Sequence, residues 1–345
     1  MNFASDNVTG AAPAIMDALM RANGAGPAMP YGNDDWTRGV TERLKEIFER
    51  DLAAFPVATG TAANALALSV LLPPYGAVYC HELAHIQVDE CGAPELFSGG
   101  AKLVTLGGPD GKIQPATLAE RLEDGWIGNV HNPQPRAVSI TQITETGGLY
   151  TADEIGAIAE IAHRQRLKLH MDGARFANAV VASNAKPADI TWRAGVDVLS
   201  FGATKNGCLM AEAIVLFDGA KAEELAFRRK RAGQLLSKMR IASAQLVAYL
   251  ENDLWLANAR HANAMATRLA RGLERIGMPP LLPVEANELF VRLPKAAADA
   301  LEKAGYRFYD WGALGPDAYR LVTAYCTEER AVDGFLAAAQ RAKAA

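Results

Sequence analysis

The sequence predicts an α/β fold with a mostly parallel sheet and a second, smaller unit. Apolar runs of strand length alternate with amphipathic runs of helix length along most of the chain. This alternation predicts parallel strands covered by helices on both faces. Beyond Pro279-Pro280, which break a long helical stretch, the rhythm changes to that of a small α+β unit. We therefore expect a large domain over residues 1–245 and a small domain over residues 246–345.

The large domain is predicted from helices and strands in alternation. The predicted helices cover residues 13–23, 35–50, 62–72, 115–122 and 152–166. The predicted strands cover residues 52–56, 77–80, 102–106, 137–144, 168–172, 196–202 and 213–217. Pro73-Pro74 end the most apolar of these runs, which is too short to span a bilayer.

Residues 243–277 form one long helical stretch that we expect to contain two helices, with the domain boundary inside it. The small domain is predicted from strands and helices that follow Pro279-Pro280. They cover residues 288–293 (strand), 295–304 (helix), 306–310 and 319–325 (strands) and 328–342 (helix).

Composition excludes several classes of protein. The net charge of −4 gives no footprint for nucleic acid, and we expect no membrane partner. The four cysteines are scattered without a Cys-x-x-Cys pair, which argues against a zinc site or a disulfide framework and fits a reducing cytosol. The first ten residues lack the basic and apolar runs of a signal peptide. We therefore expect a cytoplasmic protein that acts on a small molecule.

A lysine and an aspartate follow two of the predicted strands. Asp172 ends the strand 168–172, and Lys205 follows the strand 196–202. Ligands of α/β sheets gather where strands end. Pyridoxal phosphate requires a lysine for a Schiff base and a carboxylate that keeps its pyridinium nitrogen protonated. The pair predicts a pyridoxal phosphate site, in which the lysine reacts as the free amine.

A turn of small residues supplies a third element. Thr59, Gly60 and Thr61 precede the helical run 62–72, and small residues at a helix start let backbone N–H groups approach a phosphate. Each element alone has an ordinary explanation: an exposed lysine, an aspartate in a turn, a plain helix start. Their combination in this chain order favours the cofactor site.

Motifs along nearly the whole chain share one family pattern. They are Ser5-Asp6-Asn7-Val8-Thr9, Tyr31-Gly32-Asn33-Asp34, Thr59-Gly60-Thr61-Ala62-Ala63-Asn64, Ala84-His85 with Glu90-Cys91-Gly92, His170-Met171-Asp172-Gly173-Ala174-Arg175 with Asn178-Ala179, and Tyr319-Arg320-Leu321-Val322-Thr323. The chain thereby resembles the low-specificity L-threonine aldolases, which are aminotransferase-like pyridoxal phosphate enzymes of fold type I. The resemblance implies a large domain with a mostly parallel seven-stranded sheet and a small C-terminal α+β domain.

The resemblance also implies roles for the matching residues. For the cofactor, it implies that Lys205 and Asp172 act in catalysis and bind the ring, and that its phosphate is bound by Thr59, Gly60 and Thr61. It implies that His85 stacks on the cofactor ring and acts in catalysis, and that Arg175 contacts both cofactor and substrate. The substrate is further bound by Ser5, Tyr31 and Arg320. The implied reaction is retro-aldol cleavage of L-threonine, L-allo-threonine or phenylserine-like substrates to glycine and an aldehyde. The implied assembly is a homodimer or homotetramer with sites across the dimer interface.

Two segments depart from the family pattern. Thr144, in Thr141-Gln142-Ile143-Thr144-Glu145, stands where the family carries a histidine near the hydroxyl side of the substrate. Placed by the resemblance in the substrate site, this shorter side chain predicts room for a larger β-substituent, as in a phenylserine aldolase. The segment Ala203-Thr204-Lys205-Asn206-Gly207 also differs from the commoner Ser-Lys-Gly-Leu.

Several alternatives remain open at this point. His81 and His85 have the spacing of a metal pair, but no third ligand is evident and we expect no metal. His170 is compatible with orienting Asp172 or with packing. The same cofactor site fits a β-eliminating lyase or an aminotransferase, and a non-catalytic binding protein on the same scaffold is the alternative from another class.

Overall fold

The computed structural model describes residues 1–344, so residue 345, the end of the expected second domain, lies outside the described residues. Ten strands form two sheets within the described part of the chain. Their ranges are β1 (Ala53–Val57), β2 (Gly76–His81), β3 (Lys102–Leu106), β4 (Gln134–Thr141), β5 (Lys168–Gly173), β6 (Val198–Gly202), β7 (Glu212–Leu216), β8 (Glu288–Arg292), β9 (Tyr309–Asp310) and β10 (Ala318–Val322).

The helices of the described residues cover both faces of the large sheet and one side of the small one. Their ranges are α1 (Pro13–Gly24), α2 (Asp35–Phe48), α3 (Gly60–Ser69), α4 (His85–Val88), α5 (Ala93–Ser98), α6 (Pro115–Leu122), α7 (Ala152–Arg164), α8 (Phe176–Ser183), α9 (Ala222–Arg231), α10 (Arg240–Leu250), α11 (Leu254–Arg275), α12 (Lys295–Lys303) and α13 (Glu329–Ala344). None of these helices is both long and apolar enough to cross a membrane.

The large sheet has seven strands in the order β1-β7-β6-β5-β4-β2-β3. β7 runs antiparallel to both of its neighbours, and the remaining pairs are parallel. β2, β6 and β7 are buried along their whole length, as expected for strands covered on both faces. The mostly parallel seven-stranded sheet predicted from the sequence is confirmed.

Capping side chains fix where several helices begin. Thr59 precedes α3 and accepts a hydrogen bond from the Ala62 N–H at 3.1 Å. Because this cap lies three residues before the predicted start at Ala62, the helix begins at Gly60, two residues earlier than predicted. Thr151 and Glu154 form a reciprocal capping box at the start of α7, which confirms the predicted helix start at Ala152.

The prediction for β4 was wrong by three residues at each end. The strand covers Gln134–Thr141 rather than residues 137–144. Beyond Thr141 the Gln142 side chain donates to the Tyr150 carbonyl at 2.9 Å and accepts from its N–H at 3.0 Å. Ile143 leaves the main core and packs with Ala179. The apolar sequence pattern continues beyond Thr141, whereas the hydrogen bonds of the Gln142 side chain turn the chain there. The strand was therefore predicted too far toward the C-terminus.

The long stretch before the small domain contains two helices, as predicted. α10 and α11 are separated at Asn252 and Asp253, whose φ angles are 51° and 54°. These left-handed residues cannot continue an α-helix, and asparagine and aspartate tolerate them better than other side chains do. The small sheet that follows is antiparallel in the order β8-β10-β9, but the strand predicted over residues 306–310 is limited to Tyr309–Asp310.

Hydrophobic packing bears on the domain division. The core of the large sheet continues through α10 to Ala259, and a second cluster starts at Met265 of α11. Phe3 packs in the second cluster. Two backbone hydrogen bonds hold it there: its N–H donates to the Arg307 carbonyl at 2.7 Å, and its carbonyl accepts from the Val322 N–H at 2.7 Å. The two clusters meet within α11, the N-terminal residues pack with the second one, and the domain boundary near residue 245 stays a prediction.

Candidate active site

A buried cavity opens where β4 and β5 end and where the chain leaves β6. Its volume is about 330 Å³. The residues predicted for the cofactor all line it: Thr59, Gly60, Thr61, His85, Asp172, Arg175 and Lys205. Asp172 sits near the end of β5, paired with Thr141 of β4 on one side and Ser200 of β6 on the other. The structure therefore brings together the three elements that the sequence placed in one site.

The loop that carries Lys205 is fixed on both sides of the lysine. The Ala203 N–H donates to Glu212 Oε2 at 2.7 Å. Asn206 donates to the Tyr249 hydroxyl at 2.7 Å and to the Trp255 carbonyl at 2.8 Å. These bonds hold a single 3₁₀ turn, so the lysine side chain enters the cavity from a rigid base.

Sequence reasoning did not single out Glu212. It lines the cavity with Lys205, and burial raises the pKa of its carboxyl to about 7. In the sequence it opens an apolar strand, where a glutamate ordinarily faces solvent. Only the strand order, which places β7 beside β6, shows that this carboxyl lies under the lysine loop.

Asp172 belongs to a buried hydrogen-bond network that reaches His85. Asn64 Nδ2 donates to Asp172 Oδ2 and to Glu90 Oε1, both at 2.8 Å. His85 Nδ1 donates to the same Glu90 oxygen at 2.8 Å. The hydrogen bond to Glu90 raises the pKa of His85 against the effect of burial, whereas burial raises the pKa of Glu90. The motifs contained Asn64 and Glu90, but no role had been assigned to them.

This network accounts for the cluster of metal-ligand types at the site. His85, Glu90 and Asp172 place potential ligand atoms within 4.8 Å of one another. The hydrogen bonds through Asn64 and from His85 already use these atoms, so the cluster needs no ion to explain it. His81 takes no part, because its ring bonds to the Gly108 carbonyl at 3.1 Å and accepts from the Leu83 N–H.

His170 is buried within the sheet, and its ring makes its hydrogen bonds to residues other than Asp172. Its two ring nitrogens hydrogen-bond to the hydroxyls of Ser139 at 2.9 Å and Ser200 at 3.0 Å. Burial lowers the pKa of His170 to about 4, so the ring is neutral at pH 7. These two hydrogen bonds connect β5 to β4 and to β6. Of the two alternatives for His170, orientation of Asp172 or packing, they support packing.

Arg175 is held by two buried carboxylates. Its Nε donates to Asp6 Oδ2 at 2.8 Å and its Nη2 to Asp6 Oδ1 at 3.1 Å, while Glu288 lies 3.5 Å from Nη1. Burial opposes the charge on Arg175, but the attraction of Asp6 and Glu288 outweighs it and raises the pKa of the guanidinium. Arg175 thus presents a permanent positive charge to the cavity in a fixed orientation.

A second cavity of about 740 Å³ adjoins the first. The predicted substrate residues Ser5 and Arg320 line it together with Trp311. The Arg320 guanidinium lies over the Trp311 ring, 4.6 Å from its centroid, and donates to the Ala4 carbonyl at 3.4 Å. Five residues line both cavities: Asn7, His85, Glu145, Arg175 and Lys205. The two cavities therefore form one continuous site, and we call their parts the cofactor side and the substrate side after the residues predicted for each.

The placement of Thr144 in the substrate site was wrong. Thr144 lines neither cavity, and its hydroxyl donates to the Asp110 carbonyl at 2.8 Å and accepts from the Gly148 N–H at 2.8 Å. Its neighbours Ile143 and Glu145 line the cofactor cavity instead. Beyond β4, successive side chains point alternately toward the cavity and away from it. An error of one residue in the predicted placement therefore assigns the wrong side chain to the cavity.

Tyr31 is also absent from the lining of the two cavities. It is 46% exposed, and its ring lies 4.4 Å from Lys230 Nζ. A tyrosine on this exposed surface does not reach the site of its own chain.

The strand order and the lysine loop opposite a buried aspartate define an aminotransferase-like enzyme of fold type I. The chain belongs to the beta-eliminating lyase family, whose sequence profile matches residues 2–296. It is 44% identical over 334 residues to a low specificity L-threonine aldolase from a Pseudomonas species, which covers 96% of this chain and 94% of that protein. A low specificity L-threonine aldolase from Pseudomonas aeruginosa is 42% identical over 94% of this chain and 93% of its own.

A solved structure shows the same architecture. The threonine aldolase of Leishmania major superposes with a TM-score of 0.92 at 30% sequence identity, over 99% of this chain and 98% of that chain.

Proposed function

We propose that this protein uses pyridoxal phosphate to cleave L-β-hydroxy-α-amino acids to glycine and an aldehyde. The observation that carries the proposal is one cavity lined by Lys205, Asp172 and the Thr59–Thr61 turn, continuous with a second cavity that contains Arg320. Membership of the lyase family and similarity to two threonine aldolases above 40% identity support the same reaction.

The residues of the first cavity fit the cofactor. Lys205 supplies the amine for covalent attachment, and Asp172 supplies a buried carboxylate with lone pairs beyond those used by Asn64 and the Ala174 N–H. At the start of α3 the Thr59 hydroxyl satisfies only the Ala62 N–H, so the N–H groups of Gly60 and Thr61 remain for a phosphate. Bound there, the cofactor supplies an electron sink for the pair released at the substrate Cα.

The protein's own contribution is to bind and orient the substrate. Arg320 and Ser5 line the substrate side, where a planar guanidinium suits a carboxylate. Stacking on Trp311 fixes the plane of the Arg320 guanidinium before substrate arrives. Arg175, whose orientation Asp6 fixes, keeps a positive charge between the two sides. Held at its carboxylate and its amine, the substrate presents its hydroxyl-bearing carbon in one direction.

The decisive experiment is a product assay on the cofactor-loaded protein with L-threonine, L-allo-threonine and L-threo-phenylserine in parallel. We expect glycine and the matching aldehyde in equal amounts from at least one substrate. Ammonia with 2-oxobutanoate from either threonine, or with phenylpyruvate from phenylserine, would identify an eliminating lyase, and a β-hydroxy keto acid formed with amine transfer would identify an aminotransferase. A protein that forms no covalent lysine adduct with the cofactor and releases no product would be a binding protein.

We further propose that the active sites lie at an interface between copies of the chain. Tyr31 is exposed and lies outside the cavities of its own chain, which supports a role in the site of a second copy. Mixing Lys205→Ala with Tyr31→Ala subunits would test this, because a mixed dimer contains one site with both residues intact. Recovered activity in the mixture supports the interface, and additive loss without recovery contradicts it. Sedimentation of the wild-type protein would distinguish a dimer from a tetramer.

A cytoplasmic location stays part of the proposal. All four cysteines are free, which supports a reducing compartment. Fractionation of cells that express the tagged protein would test it.

A further inference from the structure

Glu145 occupies the junction between the two sides of the site. It lines both cavities, together with His85 and Lys205. Its Oε1 accepts a hydrogen bond from the His85 N–H, which opens α4, at 3.2 Å. Among residues 1–344 none donates a hydrogen bond to its Oε2. One carboxylate oxygen is therefore anchored, and the other is available to a group in the cavity.

Glu145 differs chemically from the other ionisable groups at the junction. Arg175 is a permanent cation bound by Asp6, and the proposed function engages Lys205 with the cofactor. His85 has its Nδ1 committed to Glu90, and its Nε2 lies 3.7 Å from Asp89 Oδ2. Of the carboxylates in residues 1–344, only Glu145 lines both cavities, and its Oε2 is an uncommitted atom that accepts a proton.

The surroundings of Glu145 set its ionisation near neutral pH. Burial raises the pKa of its carboxyl to about 7, and the negative charges of Asp172 and Glu288 act in the same direction. The positive charges of Lys205 and His85 oppose this rise, and the Arg175 guanidinium also interacts favourably with Glu145. A carboxyl balanced in this way exchanges a proton readily at working pH.

We propose that Glu145 is the catalytic base that takes the β-hydroxyl proton of the substrate, an inference that rests on the proposed function. The carboxylate accepts the proton from the hydroxyl oxygen. The O–H electron pair forms the aldehyde C=O bond as the Cα–Cβ bond breaks, and the pair of that bond remains at Cα. An acid of the site protonates Cα to give glycine, and Glu145 releases its proton before the next turnover. One proton thus moves from oxygen to carbon, and no water or oxidant is consumed.

The test compares Glu145→Gln with the wild type in two reactions of the cofactor-loaded protein. Glutamine keeps an acceptor for the His85 N–H and loses the base. We expect kcat/KM for aldol cleavage to fall about 100-fold or more. Exchange of the glycine α-proton with deuterated water, followed by NMR, involves no hydroxyl and should stay within about threefold of the wild type. Fluorescence titration should show unchanged affinity for the cofactor.

The pH profile and two further variants complete the design. The wild-type kcat/KM should rise with pH through about 7, because the base form of Glu145 appears above its pKa. Glu145→Gln should lack this rise with pH. Glu145→Asp should keep it, and its kcat/KM should be at least tenfold higher than that of Glu145→Gln. Glu120→Gln, at an exposed position of α6, is the matched control for loss of a carboxylate and should behave as the wild type.

Three results would overturn the inference. They are cleavage by Glu145→Gln within threefold of the wild type, an unchanged acid limb in that variant, or equal loss of cleavage and glycine exchange. A His85→Asn variant that alone lost the acid limb would move the role to His85. If the wild type releases no glycine from any of the three substrates, the proposed function itself fails, which is a different result from an active wild type with an active Glu145→Gln.

Discussion

Lys205 is the residue whose chemistry can be tested most directly. If it attaches the cofactor, borohydride reduction of the loaded protein should add the cofactor's mass to the peptide that contains Lys205. Lys205→Ala should give no adduct, should lose the visible absorbance of the covalent form and should lose activity. Lys102→Ala, at an exposed position of β3, is the control and should still give the adduct on Lys205. An adduct on another lysine would contradict the assignment.

Arg320 is the residue that we expect to bind the substrate carboxylate. Loss of a charge-assisted hydrogen bond costs about 1.5–3 kcal/mol, so Arg320→Ala should lower kcat/KM about tenfold or more, mainly through KM. Arg320→Lys should recover part of this loss, because a lysine keeps the charge but cannot stack on Trp311 or bind bidentately. Arg271→Ala on α11 controls for the loss of an exposed arginine. Wild-type kinetics in Arg320→Ala would place the carboxylate elsewhere.

Thr144 should act on stability and not on substrate preference. Thr144→Val keeps the shape but removes the acceptor of the Gly148 N–H and the donor to the Asp110 carbonyl. Buried groups left without a partner cost about 1–3 kcal/mol, which chemical denaturation should detect. The ratio of kcat/KM for phenylserine over threonine should not change. A changed ratio with unchanged stability would return Thr144 to the substrate pocket.

At the scale of elements, the lysine loop depends on Gly207. Its φ angle is 114°, and a Cβ built there lies 2.7 Å from Asn258 Nδ2. Gly207→Ala should therefore cost about 1–3 kcal/mol in backbone strain, displace the loop and weaken cofactor binding. Gly219→Ala is the matched control, because no atom lies within 4 Å of its built Cβ. Equal cofactor affinity and stability of the two variants would show that the loop does not need this backbone conformation.

The elements could be predicted from sequence where a local rule determines them. Prolines and capping side chains mark the starts of α6 and α7, and the alternation of strands with helices gives the class of the sheet. Pairwise side-chain bonds between distant segments could not be predicted. The hydrogen bonds between Gln142 and Tyr150 turn the chain at the end of β4. Because this turn was not predicted, the predicted strand end was wrong and Thr144 was placed in the substrate site.

The candidate site shows the same limit. Sequence analysis could single out Lys205, Asp172 and Thr59–Thr61, which line one cavity, because their types and order are typical of a specific chemistry. Glu145 and Glu212 were missed because a glutamate after or within a strand is ordinary in sequence. Their raised pKa values depend on burial beside other charges, and that burial depends on the strand order of the whole sheet.

At the scale of the whole molecule, the N-terminal segment connects the small unit to the site. Phe3 packs in the small core, and three residues later Asp6 binds Arg175 of the large unit. Asn287, just before β8, donates to Asp6 Oδ2 at 3.1 Å, and Glu288 approaches the same arginine. These contacts connect Arg175 and the segment that carries Ser5 to the small unit.

Replacement of Asp6 should weaken this connection. Asp6→Asn leaves the buried Arg175 with Glu288 alone, and removal of one partner of a buried ion pair costs about 3–5 kcal/mol. We expect lower stability in denaturation, faster proteolysis near the N-terminus and a higher KM. Asp17→Asn, at an exposed position of α1, is the matched control.

The pH dependence of stability provides an independent check on the same contact. Burial raises the pKa of Asp6, but the attraction of Arg175 and Lys205 and the hydrogen bonds outweigh it and lower the pKa below its ordinary value of 3.8. A lowered pKa in the folded state contributes stability above the unfolded pKa, and this contribution is lost as the pH falls through the folded pKa. The difference in unfolding free energy between the wild type and Asp6→Asn should therefore be full at pH 7 and shrink below about pH 4. A difference that persists unchanged in acid would mean that Asp6 stabilises the protein by packing and not as the charged partner of Arg175.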